Sequence, residues 1–100
     1  MPGSPPPSDD AKAIRMAFQR LCRDGANLFL RKATRRGLFP LLAESEGRIA
    51  LAISEAEREV WGLQPGGHLS AFFVDRGRRF EATLEVAGPG SVEGVECCYF

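Results

Sequence analysis

The sequence predicts a mainly β domain, a small antiparallel six-stranded β-barrel preceded by one amphipathic α-helix. Apolar residues recur at helical spacing between Ala11 and Arg23, and after Gly25 the apolar period changes to two. Turn signals then recur about every 8–12 residues, which is typical of small barrels and sandwiches. With 100 residues, 44% of them hydrophobic, the chain has the size and composition of one folded domain.

The N-terminal segment is rich in proline, glycine and serine, and it predicts a flexible tail over residues 1–10 ahead of a single domain over 11–100. Ser8 and the two acidic residues after it can cap a helix that begins at Ala11. One face of this helix is apolar: Ala13, Ile14, Ala17, Phe18, Leu21 and Cys22. Gly25 suits the left-handed position that ends a helix. We expect the apolar face to pack on the sheet.

Six segments then have the pattern of strands: residues 26–33, 38–43, 48–53, 68–74, 79–86 and 92–100. Turns are predicted between them at residues 36–37, 44–47, 75–78 and 88–90. Pro40 places the second strand at an edge or a bulge. Ser54 and Glu57 have the spacing of a capping box, which predicts a short helical turn over residues 54–61.

Charge and cysteine content indicate a cytoplasmic protein that does not insert into membranes. Thirteen basic and thirteen acidic residues cancel, so nucleic acid is disfavoured as a partner of the whole chain. The N-terminus has neither the basic start nor the apolar stretch of a secretory signal. Three cysteines, two of them adjacent, predict free thiols in a reducing compartment. The charge is not evenly distributed, however: residues 12–36 contain eight basic side chains and one acidic side chain, Asp24.

The sequence favours a binding module over an enzyme. His68 is the single histidine, and it begins a predicted strand with no base or nucleophile recognisable beside it. Cys97 and Cys98 are adjacent on a terminal strand, where thiols usually serve as small core residues. No metal-ligand spacing and no phosphate-binding glycine loop is present in the sequence, so neither a metal nor a cofactor is predicted.

A basic cluster at the end of the first predicted strand is the candidate ligand site. Arg31, Arg35 and Arg36 could clamp the phosphates of an anionic ligand, because guanidinium groups bind phosphate oxygens in pairs. The alternative is a solvated basic face, which is what most charge runs are.

From Leu28 to Phe100 the chain resembles a PilZ domain. Arg31 and Arg35 match the family's RxxxR element, and Ser45 lies in a segment similar to the (D/N)xSxxG element that follows it. The turn after Leu63 and the strand pattern of the last 20 residues also fit. Two positions depart from the pattern: Ala43 replaces the Asp or Asn, and Arg48 replaces the glycine. The helix before the barrel is similar to the N-terminal domain of flagellar-brake relatives.

The resemblance implies a bacterial module of cyclic-di-GMP signalling. Because Ala43 and Arg48 remove a polar contact and add bulk, we expect a non-canonical adaptor that has lost the nucleotide and contacts another protein, for instance one of a motility or secretion apparatus. The first alternative is a cyclic-di-GMP receptor that uses Arg31, Arg35, Arg36 and Ser45. The second is a small RNA-binding barrel, which would need aromatic side chains among the basic ones.

An adaptor needs an exposed apolar patch, and four residues are candidates for it: Trp61, Leu63, Phe72 and Phe73. The alternative is that these side chains fill the core, since aromatic strand residues usually pack inward.

Overall fold

The computed structural model describes residues 7–100, which form two helices and seven strands. These are α1 (Pro7–Arg23), β1 (Asn27–Lys32), β2 (Arg35–Ser45), β3 (Arg48–Leu51), α2 (Glu55–Trp61), β4 (His68–Asp75), β5 (Arg78–Glu85), β6 (Gly88–Val92) and β7 (Val95–Tyr99). Helix α1 begins four residues before the predicted start, inside the segment predicted as a tail. The rest of that tail, residues 1–6, lies outside the described residues. Within residues 7–100, no helix is both long and apolar enough to cross a membrane.

The strands form one antiparallel sheet in the order β5-β4-β1-β2-β3-β7-β6. Strand β2 pairs with β1 through its first half and with β3 through its second half, and its register shifts between Leu41 and Ala43. The bend expected near Pro40 therefore lies just after it, and it divides the sheet into two halves. The chain is mainly β, as predicted, but the six-stranded closed barrel is wrong: β5 and β6 are the end strands, and they do not pair with each other.

The seventh strand comes from a segment that was predicted as a turn. Residues 88–90 begin β6, and the turn lies instead at Glu93 and Gly94, which have φ angles of 50° and 81°. Pro89 has no N–H to donate, which an end strand tolerates. Gly90 lies under the ring of Tyr99: a Cβ there would come within 2.3 Å of the ring. The strand predicted over residues 92–100 is thus shortened to β7, and Val92 belongs to β6.

The short second helix is the element that the sequence predicts most fully. The Ser54 Oγ accepts a hydrogen bond from the Glu57 N–H at 3.1 Å, and the Glu57 Oε1 accepts one from the Ser54 N–H at 2.9 Å. This is the predicted capping box. Helix α2 ends at Gly62, whose φ of 63° is left-handed.

The predicted turn at residues 36–37 is also wrong, because Gly37 lies inside β2. The hairpin turns three residues earlier, at Ala33 and Thr34, and Ala33 has a φ of 55°. Gly37 instead leaves room for two aromatic rings: a Cβ there would lie 3.1 Å from the Phe39 Cε2 and 3.2 Å from the Trp61 Cζ2. The absence of a side chain lets Trp61 pack on the sheet, with its ring centroid 5.3 Å from that of Phe39.

We expect Gly37→Ala to lower the free energy of unfolding by about 1–3 kcal/mol, the usual range for overpacking a filled core. The added methyl group would press on rings that belong to the buried core, so neither ring can simply swing into solvent. Chemical denaturation followed by tryptophan fluorescence would measure the change. Gly77→Ala is unsuitable as a control because of its positive φ, so Ala87→Gly at an exposed position serves instead. Wild-type stability in Gly37→Ala would contradict the packing argument.

Helix α1 covers the inner face of the sheet, as its apolar stripe predicts. Ala17 and Phe18 are buried, and the Phe18 ring lies 4.9 Å from that of Phe73 on β4. Below them, Leu28 and Leu30 of β1 are completely buried.

One charged pair joins α1 to the end of β4. The Arg20 Nε donates to both carboxylate oxygens of Asp75 at 3.0 Å, and the Arg20 Nη2 also bonds to Oδ2. Asp75 is the one buried charged residue within the described part of the chain. The hydrogen bonds from Arg20 hold the pKa of Asp75 below its ordinary value, against the opposing effect of desolvation. Arg20 thus stabilises the ionised form of the Asp75 carboxylate.

Candidate functional site

The outer face of the first half-sheet is the surface that α1 does not cover. Directly paired residues of antiparallel strands project to the same side. The pairs Phe29–Leu38, Phe29–Phe72 and Phe72–Glu81 therefore place four neighbouring side chains, one from each strand, in one row across β2, β1, β4 and β5. A second row runs parallel to it: Arg36, Arg31, Ser70 and Thr83. We call this surface the outer face.

Three apolar side chains in the first row are adjacent and accessible. Leu38 is 62% exposed, while Phe29 and Phe72 are half-buried, with ring centroids 6.0 Å apart. Val74, two residues beyond Phe72 on β4, adds a side chain that is 56% exposed. A cluster of this kind is unusual on a small domain, because single exposed apolar residues are common but contiguous ones mark contact surfaces.

Two arginines border the apolar row. The guanidinium carbon of Arg31 lies 5.2 Å from the centroid of the Phe72 ring, in the geometry of a cation–π contact. Arg36 is paired directly with Arg31 across the hairpin. The outer face can therefore offer apolar contact and guanidinium groups to the same ligand.

The structure does not bring the four predicted ligand residues together. Arg31 and Arg36 share the outer face, but Arg35 is paired with Lys32, which lies on the opposite side. The Lys32 Nζ donates to the Trp61 carbonyl oxygen at 3.0 Å, so this second basic pair borders α2. Ser45 ends β2, ten residues from Arg35, which is about 30 Å along an extended strand. The RxxxR spacing spans a turn here and does not produce one clamp.

The predicted apolar patch does not form, because three of its four residues belong to the core. Trp61, Leu63 and Phe73 are all buried, and Phe72 alone lies on the outer face. The alternation of a strand explains the difference between the two phenylalanines, since consecutive side chains point to opposite faces. Trp61 is buried because α2 folds back onto Gly37 and Phe39.

The groups with chemical reactivity are dispersed. His68 is exposed at the start of β4, with its Nε2 3.5 Å from the Glu85 Oε1. Cys97 and Cys98 are completely buried, and burial is the main cause that raises the pKa of the Cys98 thiol. Within residues 7–100, no three His, Cys, Asp or Glu side chains are grouped to hold a metal ion.

A shallow concavity of about 480 Å³ lies between the end of β5 and the second half of the sheet. Arg48, Glu85, Tyr99 and Phe100 are among its lining residues. None of the three candidate arginines lines it.

The sequence pattern did not identify Phe29, Leu38 and Val74 as candidate site residues. Alternation within β1 does place Phe29 on the same face as Arg31, which was a usable signal. Which side chains lie beside them depends on strand order and register, and a single sequence pattern does not give these.

Comparison with known proteins supports the fold. No protein-family model matches the chain, and no curated protein matches it. Among solved structures the chain is similar to the YcgR-N domain of YcgR from Escherichia coli, with a TM-score of 0.70 and 18% sequence identity over 90% of this chain and 82% of that one. At this identity the likeness establishes the fold and says nothing about individual residues. The chain has the fold of the YcgR-N domain.

Proposed function

We propose that this chain is a non-catalytic binding module of the cyclic-di-GMP signalling type, and that it acts by contact with another protein through the outer face. The observation that carries the proposal is the exposed apolar row of Leu38, Phe29 and Phe72 with Arg31 beside it. The fold shared with the YcgR-N domain supports the signalling context that the resemblance to PilZ domains implies.

The chemistry of the outer face defines the kind of partner. An apolar side chain of the partner can enter between Leu38 and the phenylalanine rings, where it buries area that is now exposed. A carboxylate next to it can reach Arg31 or Arg36, which have no ion-pair partner within the described residues. We therefore propose a partner segment that alternates apolar and acidic residues.

We expect Leu38→Glu to reduce capture of the partner at least tenfold in a pull-down from cells of the source organism. The substitution places a carboxylate in the apolar row, where it must be desolvated and repels acidic groups of the partner. Folding should be unaffected, because Leu38 is 62% exposed. Val60→Glu is the matched control, since Val60 on α2 is 55% exposed and lies outside the outer face. The proposal fails if Leu38→Glu captures the same proteins in the same amounts as Val60→Glu.

Cyclic-di-GMP is the second candidate ligand. Arg31 and Arg36 are paired on one face, and this pairing favours joint contact with a phosphate. Against it stand Ala43 in place of a polar ligand and the distant positions of Arg35 and Ser45. Calorimetric titration at millimolar nucleotide should give no saturable heat. Saturable heat that is lost in Arg31→Ala, Arg36→Ala would instead favour the receptor.

RNA is the third candidate, and Phe29 beside Phe72 is the observation that favours it, because bases stack on such rings. The same row continues into Glu81 of β5, whose carboxylate would repel a phosphate backbone. A salt-dependent gel shift of labelled single-stranded RNA that is weakened by Phe72→Ala would favour RNA over a protein as the ligand.

A further inference from the structure

The two end strands of the sheet differ in how their open edges are protected. β6 is five residues long and contains Pro89 between two glycines, which discourages pairing with another chain. β5 is eight residues long, pairs with β4 in continuous register, and contains no proline or glycine. Within residues 7–100, no strand pairs with its other edge. An edge of this length without proline, glycine or a register shift can template a further strand, provided that its charged side chains meet opposite charges.

The backbone groups that β5 presents at this edge follow from the alternation of antiparallel pairs. The Val86 N–H donates to the Gly67 carbonyl oxygen at 2.8 Å, so Val86 directs its backbone N–H toward the β4 side. Every second residue back along β5 is therefore bonded to β4. The residues between them direct their N–H and C=O groups to the open edge: Arg79, Glu81, Thr83 and Glu85.

These four residues are complementary to the same four residues of a second copy of β5 that runs antiparallel to the first. A second copy of β5, antiparallel and centred on Ala82, places Arg79 opposite Glu85 and Glu81 opposite Thr83. Each of the four open residues then faces another open residue and exchanges both backbone hydrogen bonds with it. Charge complementarity occurs twice by symmetry, because each Arg79 meets the Glu85 of the other copy.

The side chains on the inner face are complementary in the same register. Phe80 lies opposite Leu84, and Ala82 meets Ala82 of the second copy. A shift that centres the pair on Glu81 would instead oppose two like carboxylates. A shift that centres it on Phe80 leaves Glu85 without a partner strand. Helix α1 packs mainly over β2 and β4, so it does not occupy this edge.

We infer that the chain forms a twofold-symmetric dimer in which β5 pairs with β5 of a second copy around Ala82. The two half-sheets become one continuous sheet, and their outer faces lie side by side. Such a dimer would present the apolar row twice to a partner with two equivalent segments. The inference depends on β5 alone and not on the proposed partner contact.

Charge exchange across the interface tests the register. Arg79→Glu should weaken the dimer at least tenfold, measured as the dissociation constant by analytical ultracentrifugation, because two attractive pairs become repulsive. Glu85→Arg should do the same. Combining the two substitutions restores opposite charges and should restore dimerisation. Arg15→Glu, on the exposed side of α1, is the control for an equal change of charge.

A cysteine at the symmetry axis tests the geometry independently. Residues in a non-hydrogen-bonded antiparallel pair have Cα atoms about 4.5 Å apart, within the range that a disulfide spans. Ala82→Cys should therefore form an intermolecular disulfide under mild oxidation, seen on a non-reducing gel. Val74→Cys, exposed on the neighbouring strand, should not. A wild-type chain that sediments as a monomer up to hundreds of micromolar, or cross-linking of Ala82→Cys no faster than that of Val74→Cys, would overturn the inference.

Discussion

Replacing Phe73 with alanine should remove most of the stability of the domain, about 3–5 kcal/mol of unfolding free energy. The Phe73 ring is buried between Phe18 of α1, 4.9 Å away, and Phe80 of β5, stacked at 5.2 Å. Its loss leaves a cavity at the contact between the helix and the sheet, which a domain of this size cannot easily refill. Denaturant unfolding followed by circular dichroism measures the change.

Phe72→Ala is the matched control, because the two phenylalanines are neighbours on β4 with opposite orientations. Phe72 is half-buried on the outer face, and its ring contacts are Phe29 and the guanidinium of Arg31. We expect the free energy of unfolding to fall by about 1 kcal/mol or less. We also expect Phe72→Ala to abolish binding of the partner protein. If the two substitutions destabilised the domain equally, Phe72 would belong to the core as Phe73 does, and the outer face would not be a separate contact surface.

The elements that the sequence predicts well are those determined by local interactions. The amphipathic pattern of α1 and the Ser54–Glu57 capping box each lie within a few residues of sequence, and both helices form where they indicate. The same is true of the two-residue turn between β4 and β5, at Arg76 and Gly77.

The elements that it predicts poorly depend on contacts between distant residues. From the sequence Gly37 is predicted as a turn residue, but in the structure it lies in a strand and Trp61 packs against it. Residues 88–90 are likewise predicted as a turn, but in the structure the Tyr99 ring lies over Gly90. Glycine therefore has two structural roles in this chain. It adopts a positive φ in turns, or it leaves room for an aromatic ring in a strand, and only the tertiary contacts distinguish the two roles.

The position of each candidate site residue also depends on contacts between strands that are distant in sequence. The arginines are visible in the sequence, but the hairpin turn lies three residues earlier than predicted. Arg35 therefore pairs with Lys32, and Arg36 pairs with Arg31. That small shift changes a presumed phosphate clamp into two separate basic pairs on opposite faces. The fold itself tolerates the shift, because Leu28 and Leu30 still point to the core.

Arg20→Gln should lower the midpoint of thermal unfolding by several degrees at pH 7. The Asp75 carboxylate is buried, and Arg20 supplies the hydrogen bonds that keep it ionised. Without the guanidinium, the charge is left in a partly desolvated site with a weaker partner.

The pH dependence distinguishes this ion pair from simple packing. The pKa of Asp75 in the folded protein lies below its ordinary value of 3.8, chiefly because of the hydrogen bonds from Arg20. The pair therefore stabilises the fold fully above the unfolded-state pKa, and this stabilisation is lost as the pH falls through the lowered folded-state pKa. The difference in unfolding temperature between wild type and Arg20→Gln should be large at pH 7 and should shrink below about pH 4.

Asp75→Asn supplies the complementary control, because it removes the titrating group and should make the remaining effect of Arg20→Gln independent of pH. A temperature difference of the same size at pH 7 and pH 3 would show that Arg20 acts through its hydrocarbon chain alone. In that case the link between α1 and β4 would rest on Phe18 and Phe73 and not on charge.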